Sequence, residues 1–205
     1  MNIHLYLRCM RIRDEAKEKL IREKALEMIA KQGFEGLSMQ KLAKAAGVSP
    51  ATIYIYFKDR DDLILQLCKE EGTKMIEATF DGFDPEMHFE EGLSIQWKNR
   101  YRYWLENPMS GQFLEQVKHS PPYEAFFGQD KVFPRLMGHF MANAVARKEV
   151  IPLPAEVFWS VAFAPLYQLI KFHLAGKGLG NRGPFLLDES KLEMALALVL
   201  KSLKP

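Results

Sequence analysis

Ser49, Pro50, Ala51 and Thr52 place small side chains and hydroxyls at the start of a short apolar run, and Tyr54, Ile55, Tyr56 and Lys58 follow within two turns. Small groups at the opening of a helix allow close approach to base edges in a DNA major groove. Hydroxyls and cations behind them can hold phosphate oxygens. The chemistry on offer is therefore recognition of a polyanion rather than bond making.

The elements that would position these groups are legible in residues 38–57, SMQKLAKAAGVSPATIYIYF. Ser38 can cap a first helix whose apolar side is Met39, Leu42, Ala43 and Ala46. Gly47 can take the left-handed backbone that ends a helix, and Val48 can fill the angle that follows. Ser49 caps a second helix, with Pro50 at the first position, where an amide is not missed. Ile53 and Phe57, four apart, can face the core together. That leaves Ala51, Thr52, Ile55 and Tyr56 on the outer side and Tyr54 near the edge. An ordinary helical hairpin shares this outline, and in that reading Tyr54 and Tyr56 close a core while Lys58 and Arg60 are solvated charges.

Over a longer stretch, Ile21, Ala25, Ile29, Gly33-Phe34, Ser38, Leu42-Ala43, Ala46-Gly47-Val48-Ser49, Thr52-Ile53-Tyr54, Tyr56-Phe57 and Leu63 resemble the tetracycline-repressor (TetR) family of bacterial regulators. The resemblance covers about a quarter of the chain and rests on many residue types at fixed spacing. It implies an all-α fold with a three-helix, helix-turn-helix DNA-binding head, a connecting helix, and a larger helical-bundle body for ligand binding and dimerisation. It places Gln40, Pro50, Ala51 and Ile55 near base edges, and Thr52, Tyr54, Tyr56, Lys58 and Arg60 near phosphates, with Ser49 counted in the DNA-binding set. Two positions depart from the family pattern. Arg60 stands where lysine is usual, so its planar fork can be drawn to a helix carboxylate instead. Ala51 stands where glycine is frequent, which adds a methyl able to touch a thymine methyl.

Charge is unevenly spread. Residues 1–60 hold 12 Lys and Arg against 7 Asp and Glu, whereas residues 61–205 hold 16 against 19. A basic head on a mildly acidic remainder suits attraction of a polyanion at one end. Arg8, Arg11 and Arg13 form a basic leader able to reach a minor groove.

The 205 residues, 48% hydrophobic, suffice for a substantial core. Val157 to Leu174 is broken by Ser160, Gln168, Lys171 and His173, so no apolar run reaches the ~20 residues of a membrane span. The opening MNIHLYLRCMR does not supply a signal-peptide core. A cytoplasmic protein with no membrane association is the expectation. Cys9 and Cys68 have no ligand-spaced partner, and the five histidines show no paired spacing, so neither disulfide, metal nor cofactor is expected. Cys68 reads as a core residue beside Ile64 and Leu67.

Apolar periodicity predicts helices over about 14–32, 61–80, 85–106, 109–119, 130–148, 154–175 and 188–203, with a kink at Pro165. A division after residue 60 is expected, with the head in residues 1–60 and the connector and regulatory body in residues 61–205. Gly178-Leu179-Gly180-Asn181-Arg182-Gly183 matches G-x-G-x-x-G in letters only, since a helix precedes it where nucleotide binding needs a strand.

Within the body, Gln96, Trp97, Arg100, Tyr101, Trp104, Phe133, Met137, Phe140, Trp159, Phe163 and Tyr167 are candidates to line a small-molecule pocket, with His139 and Gln168 as further polar groups. Plain core packing accounts for such stripes equally. The resemblance also implies pairing of the last two helices between subunits, for which Val157, Val161, Ala164, Leu192, Ala195, Leu196, Val199 and Leu203 are candidates. The reading that follows is a homodimeric transcription regulator, a repressor that binds a palindromic double-stranded DNA operator and is released by a small-molecule effector. It is not an enzyme in this reading. The alternatives are a small helical enzyme with an aromatic-lined pocket, and a DNA-binding module without a small-molecule ligand.

Overall fold

The computed structural model describes residues 14–180 and 183–205, and every regular element among them is helical. Cys9 and the leader arginines lie outside the described residues, as do Asn181 and Arg182 of the glycine-rich loop.

Helix α1 (Glu15–Gln32) starts where the Asp14 carboxylate accepts from the Lys17 amide, and ends at Gly33 with φ +80°. A single 3-10 turn, Phe34–Gly36, leads to α2 (Met39–Ala46), and α3 (Pro50–Tyr56) follows after a tight turn. Each of these two helices begins as its sequence dictates: the Ser38 hydroxyl accepts from the Lys41 amide, and the Ser49 hydroxyl accepts from the Thr52 amide, both at 3.2 Å. Gly47 sits at φ +65° with open space where a Cβ would go, so glycine is favoured there by backbone conformation alone. Helix α1 packs across α2 and α3, burying Ile21, Ala25 and Ile29 with Leu42, Ile53 and Phe57.

Helix α4 (Arg60–Phe80) opens on Asp61 and Asp62, whose charges suit the positive end of the helix dipole. It is continuous, yet the chain divides within it. One compact unit comprises residues 14–72 and 109–128, and the other comprises 73–108 with 129–205, among the described residues. A division after residue 60 differs from this grouping for two reasons. Leu63, Ile64, Leu67 and Cys68 on the first turns of α4 are buried, and Arg22 of α1 donates to Gln66 at 2.6 Å. Gly72 also comes so close to the Phe126 ring that a Cβ there would collide with it. Burial pushes the Cys68 thiol up to about 12, so it is an inert core group.

The first unit also takes in α6 (Pro108–Val117) from Met109 onward and α7 (Pro121–Phe127). The latter is a Ser120-capped single element that apolar periodicity does not flag. The second unit contains α5 (Phe89–Glu106), α8 (Val132–Ala146), α9 (Ala155–Ala162), α10 (Ala164–Ala175) and α11 (Glu189–Leu203). The kink expected at Pro165 is a full break. Phe163 adopts φ −124°, ψ −30° between α9 and α10, because a proline lacks an amide for the preceding turn and crowds its carbonyl. Trp97 of α5 uses that break, donating its indole N–H to the Ala162 carbonyl at 2.8 Å.

The start of α5 is held by Glu149, which accepts from the Phe89 amide at 2.8 Å, meets His88 Nδ1 at 2.5 Å and pairs with Arg147 at 3.2 Å. Burial works to raise its pKa, but these three partners outweigh it and hold the carboxyl below its ordinary range. Gly92, one turn on, admits the Phe140 ring: a Cβ there would lie 2.5 Å from it.

Candidate nucleic-acid interface and body cavity

Helix α3 divides its residues by direction. Ile53 and Phe57 point into the head and are fully buried. Tyr56, three residues after Ile53, lies on the same side and is only 7% exposed, its hydroxyl 3.4 Å from the Asp14 carbonyl. The expectation of Tyr56 on the outer side is therefore corrected: at 100° per residue it falls within the buried arc. The opposite arc is open. Tyr54 is 54% and Ile55 70% exposed, and Pro50 and Ala51 are exposed beside them. Tyr54 and Ile55 thus form an exposed pair of large side chains on one turn.

Thr52 is half-buried, and its hydroxyl lies 2.9 Å from that of Ser49. The pair fixes the helix start while leaving exposed oxygens there. Lys58 is exposed, and its backbone amide donates to the Asp62 carboxylate at 2.8 Å.

Arg60 is engaged within the head. Its Nε donates to the Leu37 carbonyl at 3.0 Å, an Nη donates to the Phe34 carbonyl, and the guanidinium covers the Phe34 ring at 4.2 Å. Asp61 is 3.9 Å away. The planar fork thus ties the 3-10 turn to the start of α4, a task that lysine's point charge could not perform. Its partners are two carbonyls, a ring and, at 3.9 Å, the Asp61 carboxylate of the helix it opens.

On α2, Gln40 is exposed and shares its face with Lys41 and Lys44, which make no ion pair among the described residues. These two lysines are absent from the sequence-derived set. Their common face with Gln40, opposite Leu42, Ala43 and Ala46, is the signal that points to them.

In the body unit, a cavity of about 700 Å³ lies between α8 and α9, walled by Phe133, Met137, Met141, Leu153, Phe158 and Trp159 among others. Phe133, Met137 and Trp159 come from the expected pocket set. Trp97, Phe140 and Phe163 are instead fully buried core, and Gln96 is buried with its amide on the Thr79 carbonyl. Tyr101 donates to the Leu187 carbonyl at 3.0 Å, and Trp104 meets Tyr167 edge-on at 5.7 Å. Arg100 is buried beside Gln96 and Tyr167. His139 pairs with Glu86 at 3.0 Å, and Gln168 is exposed; neither lines this cavity. Met141 continues the α8 stripe of Phe133, Met137 and Phe140 that the sequence offers as a cavity wall, whereas nothing in the loop after α8 or in α9 distinguishes Leu153 and Phe158 from core.

The candidate dimer residues split as well. Leu192, Leu196, Val199 and Leu203 form the face that α11 buries in its own body, and Val161 and Ala195 pack against the same core. Val157 and Ala164 are exposed. The open apolar face of α11 is Met194 and Leu198, 64% and 65% exposed and four residues apart.

Residues 21–67 match the model of the bacterial regulatory proteins of the tetR family. An HTH-type transcriptional regulator of Haemophilus influenzae is 34% identical over 97 residues, spanning 47% of this chain and 52% of the relative. The fatty acid metabolism regulator protein of Bacillus subtilis is 35% identical over 71 residues, 35% of this chain and 37% of its own. The chain thus spans about half the length, or less, of the curated relatives it matches. The crystal structure of a TetR family transcription regulator from Marinobacter aquaeolei superposes with a TM-score of 0.69 at 26% identity, covering 93% of this chain and 97% of that one.

Proposed function

We propose that this chain, which belongs to the tetR family of bacterial regulatory proteins, acts as a homodimeric transcription regulator. In this reading it is a repressor that places α3 in the major groove of a palindromic operator and leaves it when a small molecule occupies the body. The observation that carries the reading is α3 itself: a seven-residue, hydroxyl-capped helix with its core face fully used and Pro50, Ala51, Tyr54 and Ile55 presented outward. Base edges would meet Gln40, Pro50, Ala51 and Ile55. Phosphates would meet Ser49, Thr52, Tyr54 and Lys58, with Lys41 and Lys44 added to the set and Tyr56 and Arg60 removed from it.

Salt dependence tests the phosphate part. Each neutralised phosphate releases condensed counterions, so the slope of log affinity against log salt counts such contacts. Lys58→Ala is expected to weaken binding to every duplex and to lower that slope by about one. A gel-shift titration at four salt concentrations reads it; an unchanged slope removes Lys58 from the interface.

The body cavity favours a ligand-responsive protein over a DNA-binding module that answers to none. Release requires differential affinity, since a ligand that binds both conformations equally shifts nothing. For the dimer, Met194 and Leu198 supply exposed apolar area on the last helix that the body core does not use. Leu198→Glu is expected to weaken self-association at least about tenfold while leaving the far-ultraviolet spectrum unchanged. Sedimentation velocity distinguishes this from a dimer that persists and places its interface elsewhere.

A further inference from the structure

Arg100 of α5 is 2% exposed, and no carboxylate forms an ion pair with it among the described residues. Its Nη1 donates to the Gln96 carbonyl at 3.1 Å and to the Gln96 side-chain oxygen; its Nε donates to the Tyr167 hydroxyl at 3.2 Å. The guanidinium lies over the Phe163 ring at 4.4 Å. Trp104, one turn after Arg100 on α5, meets the Tyr167 ring edge-on at 5.7 Å, and its indole N–H is buried with no acceptor among the described residues. A cation answered by neutral acceptors alone and a donor answered by none therefore adjoin the same phenol.

A buried charge without a counter-charge is costly, and a buried donor without an acceptor adds to that cost. Burial pushes the Arg100 pKa down, yet a guanidinium does not give up its proton at ordinary pH. Such a site is short of one anion. The apolar cavity is its neighbour through a single ring: Trp159 lines the cavity, stands 5.9 Å from the guanidinium and stacks on Tyr167 at 6.2 Å. Trp159 is 37% exposed and packs against the rings of Phe133, Phe163 and Tyr167, so a ligand in the cavity reaches Arg100 only if that ring turns aside.

The geometry points to an organic acid as the ligand of the body: an apolar skeleton held between α8 and α9, and a carboxylate received past Trp159 by Arg100 and the Trp104 indole N–H. This rests on the reading of the body as the effector-binding unit. The carboxylate supplies the missing counter-charge and the missing acceptor together, which an alcohol of the same skeleton cannot do. Trp97, with its indole already on a carbonyl, takes no part.

Calorimetric titration of the full-length wild type with decanoate against 1-decanol, and with 2-naphthoate against 2-naphthalenemethanol, tests the charge requirement without any variant. In at least one pair the acid is expected to bind at least about tenfold more tightly than its alcohol. Arg100→Met should bring acid and alcohol to the same affinity, and Trp104→Phe should weaken the acid a few-fold while sparing the alcohol. Absence of acid binding, equal affinities in the wild type, or an acid preference that survives Arg100→Met overturns the inference. Operator affinity measured on the same samples separates the two readings. Acid binding that leaves DNA affinity unchanged keeps the site and defeats the effector role; DNA release by an alcohol alone does the reverse.

Discussion

Ala51→Glu or Ile55→Glu is expected to abolish operator binding, by a factor of about 100 or more, with no loss of folding stability. Both side chains are exposed on the open arc of α3, so neither substitution buries a charge in the free protein. In the complex, a carboxylate at either position would meet base-edge acceptors and the negative potential of the groove, desolvated and unpaired. Interfaces lose several kcal/mol to such a group, and about 3 kcal/mol already corresponds to a hundredfold. A fluorescence-anisotropy titration together with a thermal melt separates the effects. Retained binding by both variants would mean that α3 does not enter a groove.

The second large effect belongs to stability. Arg60→Ala is expected to destabilise the head by about 2–3 kcal/mol, because it orphans the Phe34 and Leu37 carbonyls and uncovers the Phe34 ring. Arg60→Lys should recover only part of this, since an ammonium cannot bridge two carbonyls in a plane while stacking on a ring. The salt slope of DNA binding should not change in either variant. Urea unfolding reads the first quantity and gel shifts across salt read the second. A lowered slope with unchanged unfolding midpoint would return Arg60 to the phosphate contacts.

Arg60 and Tyr56 show where residue types run ahead of geometry. The head's helices are legible because each boundary has its own local cause: Asp14, Ser38 and Ser49 as caps, Gly33 and Gly47 as terminators, Pro50 at a first position. Those causes act within four residues and need no tertiary context. The direction of Tyr56 is legible on the same local grounds, because its offset of three from Ile53 places it on the buried arc. The Arg60 contacts with residues 23 and 26 positions earlier have no local signature at all.

The body repeats the lesson at lower resolution. Its helices were readable from apolar period, and Pro165 from its missing amide, although the break it makes is sharper than a kink. The faces were not. Helix α11 carries apolar residues on two sides, and period alone does not tell Leu192, Leu196 and Leu203, which seal the core, from Met194 and Leu198, which remain open. Aromatic stripes behaved likewise: Phe140 fills the space over Gly92, whereas Phe133, two turns earlier on the same helix, lines a cavity. Only the packing of neighbouring helices decides between the two.

Selection of bound fragments from random duplexes by the purified full-length protein tests the central claim most directly. The account predicts enrichment of an inverted repeat whose half-sites lie about one helical turn apart, roughly 34–36 Å centre to centre, and loss of that enrichment with Ala51→Glu. Recovery of sequences without two-fold symmetry, or of the same repeat by the Ala51→Glu variant, would contradict it.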